Sequence, residues 1–318
     1  MVPAAPDSRS PGCGWSQLPA DPLVSVLSLL EIRDLFACAA VSPAWRAGCA
    51  AFRRLGLWPD QGPYLVYSSA DRDPGTATLH SHSTSRRFHA ALPGPPFRTR
   101  YVVGSSRGWL VTADERSSLH LLNPVTGAQV ALPPPESMVG VKPSFNRDGV
   151  LSGHSICDLD VRRRCISHRN ELQVFRAKKT RHYLYEKAVL SSDPSAGDCV
   201  VLLKHRPWEH LSFARVGDAK WTWLDAMKHC DHYQDFFYDD NDGLFYAIRA
   251  GGDIHAIDLS GASPVVKVIF NVRSRAIYYA RYLVRAPWGD LLRVRRLYGI
   301  PPPDVTQKKS FAGCTRVR

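Results

Sequence analysis

The chain has 318 residues, 44% of them hydrophobic and 22% charged, with 41 Lys+Arg against 29 Asp+Glu. This is length for two domains at ordinary globular composition, which excludes collagen, a coiled coil and a wholly disordered chain. The longest apolar run, residues 35–41, is far shorter than the ~20 residues a membrane helix needs. Residues 1–16 carry no apolar signal core, so an intracellular location (nucleus, cytoplasm or both) without membrane contact is expected.

The eight cysteines show neither C-x-x-C nor a disulfide-framework spacing, which fits reduced thiols. Charge is unevenly spread: residues 1–60 are balanced, and the whole surplus of +12 lies beyond them, densest over 162–187 and 273–296. A basic surplus attracts acidic partners at long range, although such runs usually form solvated faces.

Residues 1–14 read as disordered. Three short helices are expected next. Asp21-Pro22 is a cap-plus-proline start, and Leu23, Val26, Leu27 and Leu30 follow as one apolar stripe. Asp34 is the expected cap of the second helix, and Ser42-Pro43 opens the third, with Trp45, Cys49 and Phe52 on one side. So few residues bury little by themselves; with no metal or disulfide pattern, they need a partner or the rest of the chain. The character changes at 58–63, Trp-Pro-Asp-Gln-Gly-Pro.

Beyond that boundary, short strand-like runs alternate with Gly, Pro, Asp and Asn turns. Runs begin at Leu110, Val200, Leu244 and Leu283, spaced by about one or two multiples of the 40–45 residues of a propeller blade. Tyr64–Tyr67 with Thr76–His80 reads as an earlier, weaker unit. Residues 136–187 break the pattern, with only 171–175 strand-like, as a divergent blade or an insertion. From Gly299 the sequence turns into Pro301-Pro302-Pro303 and a polar end that reads as disordered over 299–318.

Leu18-Pro19, the stripe from Leu23 to Leu30, Asp34-Leu35 and Val41-Ser42-Pro43-Ala44-Trp45-Arg46 together resemble the F-box, here over 15–57. Gly104–Leu110, Leu122–Gly127, Leu132-Pro133-Pro134 and Tyr185–Ser191 resemble the propeller of a plant F-box family of unassigned function, similar to F-box/kelch adaptors, here over 62–298. The resemblance implies an α+β multidomain chain, a three-helix F-box followed by an all-β propeller-like domain, left incomplete by a truncated or altered C-terminal end. It also implies a non-enzymatic, cofactor-free substrate adaptor of a Skp1–cullin–F-box ubiquitin ligase. In that role Leu18, Pro19, Leu23, Val26, Leu27, Leu30, Leu35, Val41 and Trp45 would face a Skp1-like protein, and through it a cullin, while the propeller binds a target protein. Pro22, at a usually aliphatic position, and Glu31, where the family often has Pro, depart from the pattern.

Motifs for chemistry are sparse. Gly104-Ser105-Ser106-Arg107-Gly108 fits G-x-S-x-G, but a strand-like run follows where a nucleophile elbow needs a helix, so a tight turn is expected. His229-Cys230-Asp231-His232 lacks the second ligand pair of a structural zinc site. Asp239-Asp240-Asn241-Asp242-Gly243 lacks the glutamate of a calcium loop and reads as an acidic turn. Two alternatives to the adaptor remain: a basic propeller that binds RNA or another polyanion, and a truncated relative without function.

Overall fold

A computed structural model describes residues 18–54, 62–157, 172–206, 209–224, 232–271, 280–298 and 310–316. The chain divides into two compact units, Met1–Leu92 with Val125–Gly127, and Pro93–Pro124 with Ala128–Arg318.

The first unit holds helices α1 (Ala20–Ser28), α2 (Ile32–Val41) and α3 (Pro43–Arg54), then strands β1 (Tyr64–Tyr67), β2 (Thr76–Ser81) and β3 (Arg87–Ala91). Two expected caps are corrected. α1 begins one residue before Asp21, with Pro19 at its N-cap, and α2 is preceded by Glu31, so Asp34 lies in its first turn. Both aspartates still oppose the positive helix end. Ser42 caps as expected: the Trp45 amide donates to its hydroxyl at 3.2 Å, and Pro43 opens α3. The strands form an antiparallel sheet in chain order. Arg86 at its β2–β3 turn reaches the carboxylates of Glu31 (3.2 Å) and Asp34 (3.5 Å), so the departure at Glu31 joins helix to sheet. The first compact unit runs on past the change of character at 58–63, to Leu92.

The second unit is a series of antiparallel sheets, each a meander in chain order. The first is β4 (Tyr101–Ser106), β5 (Trp109–Ala113), β6 (Leu119–Leu122) and β7 (Gln129–Ala131). The next is β8 (Val141–Phe145), β9 (Leu151–Cys157) and β10 (Leu172–Arg176), followed by helix α4 (Ala177–Leu184). Then come β11 (Tyr185–Leu190), β12 (Val200–His205), β13 (His210–Arg215) and β14 (Thr222–Trp223). The last two sheets are β15 (Tyr233–Asp239), β16 (Leu244–Arg249), β17 (Ile254–Asp258) and β18 (Val265–Phe270), and β19 (Ala280–Arg285), β20 (Leu291–Tyr298) and β21 (Ser310–Arg316).

The apolar runs follow from two-sided burial. A strand with both faces covered carries no polar alternation. In β12, Val201 and Leu203 join a core with Trp109, Val111 and Leu121, while Val200 and Leu202 join a second core with Phe236, Phe245 and Ile257. In β16 the same alternation sends Phe245 and Ala247 to that second core and Tyr246 and Ile248 to a third, with Leu283 and Leu291. The sheets therefore stack face to face, as propeller blades do. Their first strands are neighbours, β4 beside β11, β11 beside β15, and β15 beside β19. A Cβ on Gly104 would come within 2.5 Å of the Ala188 carbonyl oxygen, so that glycine is what lets β4 approach β11 so closely.

Several expectations need correction. Residues 136–187 are not strand-poor: they contain β8, β9 and β10. This sheet meets β11 through α4, while β4 packs directly on β11, so it stands outside the series of first strands. The run at Leu283 lies in a first strand, whereas those at Leu110, Val200 and Leu244 lie in second strands. The tail is not wholly disordered either. Ser310–Arg316 pairs with β20 from Tyr298↔Ser310 to Leu292↔Arg316, extending the β region past 298. The physical reason is that β20 would otherwise present an open edge of N–H and C=O groups. The expected disordered stretches 1–14, 299–309 and 317–318 lie outside the described residues.

Candidate functional site

Helices α1–α3 build their own small core before they can offer anything to a partner. Leu23 and Leu27 of α1, Leu35 of α2, and Trp45, Cys49 and Phe52 of α3 are buried together. Gly48 makes the contact of α1 and α3 close, since a Cβ there would overlap Leu23. Burial, then the nearby Asp34 carboxylate, pushes the Cys38 thiol up, and burial pushes up Cys49, so neither is poised as a thiolate.

This core divides the nine residues assigned above to a Skp1-facing role. Leu23, Leu27, Leu35 and Trp45 are buried inside the three-helix core. Pro19 and Val41 are exposed, Val41 to 64%, and Leu18, Val26 and Leu30 are half-buried. Leu29, absent from the nine, is 86% exposed. Its signal was in the sequence: Leu29 stands two residues after the buried Leu27, a spacing that leaves the Leu23–Leu27 side of the helix, and it occupies the C-cap position of α1. The outward set is thus Pro19, Leu29 and Val41, while Leu18, Val26 and Leu30 pack against the three-helix core and keep part of their surface open.

In the second unit, Gly104–Gly108 is the turn the sequence suggested. Ser106 ends β4, Arg107 and Gly108 both have positive φ (+55° and +75°), and β5 follows. Two such residues are what a two-residue type I′ hairpin demands. Asp240–Gly243 likewise turns β15 into β16. His229, Cys230 and Asp231 lie outside the described residues, and His232 Nε2 sits 3.3 Å from Glu209. Among the described residues, no group of three or more His, Cys, Asp or Glu side chains could hold a metal ion.

One hydroxyl–imidazole–carboxylate chain escaped the sequence reading. His154 Nδ1 is 3.4 Å from the Thr180 hydroxyl, and Nε2 is 2.9 Å from Glu136. Thr180 and His154 are wholly buried, and the hydroxyl also donates to the Arg176 carbonyl at 3.2 Å. It joins β9 to α4 and to the Glu136 carboxylate. A comparable pair lies in the sheet of β12. The Arg206 carbonyl accepts from His205 Nδ1 at 2.9 Å, so Nε2 is left to accept from the Ser212 hydroxyl at 2.8 Å, and burial pushes His205 down to about 4.

Comparison with known proteins gives these features a context. The F-box-like family model matches residues 15–58, and the KIB1-4 beta-propeller model matches 78–315. Curated relatives from Arabidopsis thaliana include F-box only protein 7, 25% identical over 89% of this chain and 66% of its own length. F-box protein KIB4 is 26% identical over 63% of this chain and 50% of its own length. The chain thus spans about two thirds or less of these relatives. A solved beta-propeller domain, Myceliophteria_thermophila Cps50 (Swd1), aligns over 80% of this chain and 68% of its own, with 11% identity and a TM-score of 0.32. No helix among the described residues is long and apolar enough to cross a membrane. The match over 78–315 covers most of the sequence, and the chain belongs to the KIB1-4 beta-propeller family, with an F-box-like segment ahead of its propeller-like sheets.

Proposed function

We propose that this F-box protein is the substrate-recognition adaptor of a Skp1–cullin–F-box ubiquitin ligase, with α1–α3 docked on a Skp1-like protein and the stacked sheets holding the target. The supporting observation is the aliphatic set left outward by the F-box-like segment, above all Leu29 and Val41. An amphipathic helix that has satisfied its own core and still exposes such side chains suits a helix-in-groove partner. Leu23, Leu27, Leu35 and Trp45 then act indirectly, by holding the helices that carry the outward set. The chain acts by proximity, raising the target's effective concentration near the transfer machinery.

The polyanion reading has less support. Arg100 donates to the carbonyls of Pro95 and Pro93, and Arg215 to those of Leu259 and Gly261, so these guanidinium groups serve the chain's own loops. The test is co-purification of the full chain with a Skp1-like protein, wild type beside Leu29→Asp and Val41→Asp. Retention by wild type and loss by both variants supports the proposal. Failure of the wild type to retain the protein rejects it.

A further inference from the structure

Antiparallel meanders put the turn after each first strand and the turn after each third strand at one end of a sheet. In the second unit, the side chains show that these ends come together across four sheets. Arg107, after β4, donates through Nε to the Leu190 carbonyl at the end of β11 (3.4 Å) and pairs with Asp240 after β15. Trp109 Nε1 donates to Asp193 after β11 at 3.1 Å. Arg215, ending β13, donates to the Leu259 and Gly261 carbonyls after β17, and Arg285, ending β19, pairs with Asp239 at the end of β15.

The charge of this end opposes that of the chain. Its turns and the strand ends beside them carry Asp193, Asp198, Asp218, Asp239, Asp240, Asp242, Asp258 and Asp290 against Arg107, Arg215, Lys220 and Arg285, in a protein of net charge +12. The same surface already binds guanidinium groups twice, each time with an acid and an aromatic ring together. Arg107 pairs with Asp240 and lies 5.3 Å from the Tyr238 ring centroid. Arg285 pairs with Asp239 and lies 5.2 Å from the Tyr246 centroid, whose hydroxyl donates to Asp242 at 2.6 Å. A third combination of ring and acid stands at the β19–β20 turn. There Trp288 donates through Nε1 to Asp290 at 2.9 Å, which orients the indole, and the side chain is nevertheless 71% exposed. Trp is the strongest of the cation–π rings, and an exposed, oriented Trp is the residue type that anchors protein interfaces.

We propose that this turn end is the docking surface for an arginine- or lysine-rich segment of a partner protein, with Trp288 stacking on one of its cations and the surrounding aspartates supplying the field. The inference rests on the adaptor reading only in naming the partner as a target; the surface chemistry stands without it. Attraction of a basic segment by a chain of the same net sign requires a local acidic field, and the turn end provides one. The ion pairs of Arg107 and Arg285 fix the turns beforehand, so little ordering accompanies binding.

The experiment is fluorescence anisotropy of the full chain with a labelled arginine–glycine peptide, a glutamate–glycine control and a labelled oligouridine, at low and high salt. The arginine peptide is expected to bind at low salt and weaken with salt, while the glutamate peptide fails. Trp288→Ala should weaken binding about fivefold or more, Trp288→Phe should retain most of it, and Glu115→Gln, at the opposite end of its sheet, should leave it unchanged. Trp288 is largely exposed, so its truncation removes little packing. Absence of arginine-peptide binding, indifference to Trp288→Ala, or binding of the labelled oligouridine where the arginine peptide fails overturns the proposal. Retention of a Skp1-like protein, measured on the same preparations, reports separately on the adaptor reading.

Discussion

Adjacent leucines in β12 provide a stringent test of sheet stacking. Leu202 and Leu203 are both fully buried, yet they belong to different cores, Leu202 with Phe236 and Phe245, and Leu203 with Trp109 and Val111. In a sheet with one solvated face, one of two neighbouring positions would be nearly neutral to truncation. Here each Leu→Ala change removes a side chain from a closed core and leaves a cavity, at a cost of about 2–5 kcal/mol. The two cavities lie on opposite faces, so the losses should nearly add, to about 4–10 kcal/mol. A domain is commonly stable by only about 5–15 kcal/mol, so the double variant should be largely unfolded while each single variant folds. Urea unfolding followed by circular dichroism reads the midpoint of each. A change within about 0.5 kcal/mol for either single variant would refute two-sided burial of β12.

Other outcomes follow from the same structure. Gly104→Val should destabilise the second unit by about 1–3 kcal/mol or more, because the added atoms meet the Ala188 backbone; unchanged thermal stability would contradict the close approach of β4 and β11. His205 is held near 4 when folded against about 6.5 when unfolded, so its contribution is complete above pH 6.5 and falls as pH drops towards 4. The loss is about 3 kcal/mol, and His205→Gln should flatten stability measured across that window, unless burial is not what excludes the proton. Trp45→Ala should cost about 3–5 kcal/mol and melt the helices, whereas Val41→Asp should leave helical circular dichroism within error of wild type.

The second strands were legible in the sequence because two-sided burial gives them uniform apolar runs, as in Val200–Leu203. The first strands β11 and β15 were less so, since Tyr-Glu-Lys-Ala-Val-Leu and Tyr-Gln-Asp-Phe-Phe-Tyr-Asp carry charges that pair between sheets: Lys187 meets Asp235 at 2.6 Å, and Asp235 also accepts from the Leu283 amide. A usable sign was nonetheless present, since Tyr64, Tyr101, Tyr185 and Tyr233 each open the first strand of a sheet. Ser310–Arg316 eluded the reading because its strand character comes from the free edge of β20 and not from its own propensity. On the helices the apolar stripe was plain, but not which members turn inward. That division follows from how closely α1 meets α3 at Gly48, which no periodicity reveals.

The adaptor account is tested most directly by titration calorimetry of a Skp1-like protein into the full chain, comparing wild type with Val41→Asp and Leu29→Asp. Saturable one-to-one binding, weakened about tenfold or more by either exposed-residue change with the helical signal intact, is the predicted result. Wild-type heat no greater than dilution, or equal affinity in all three proteins, would contradict it.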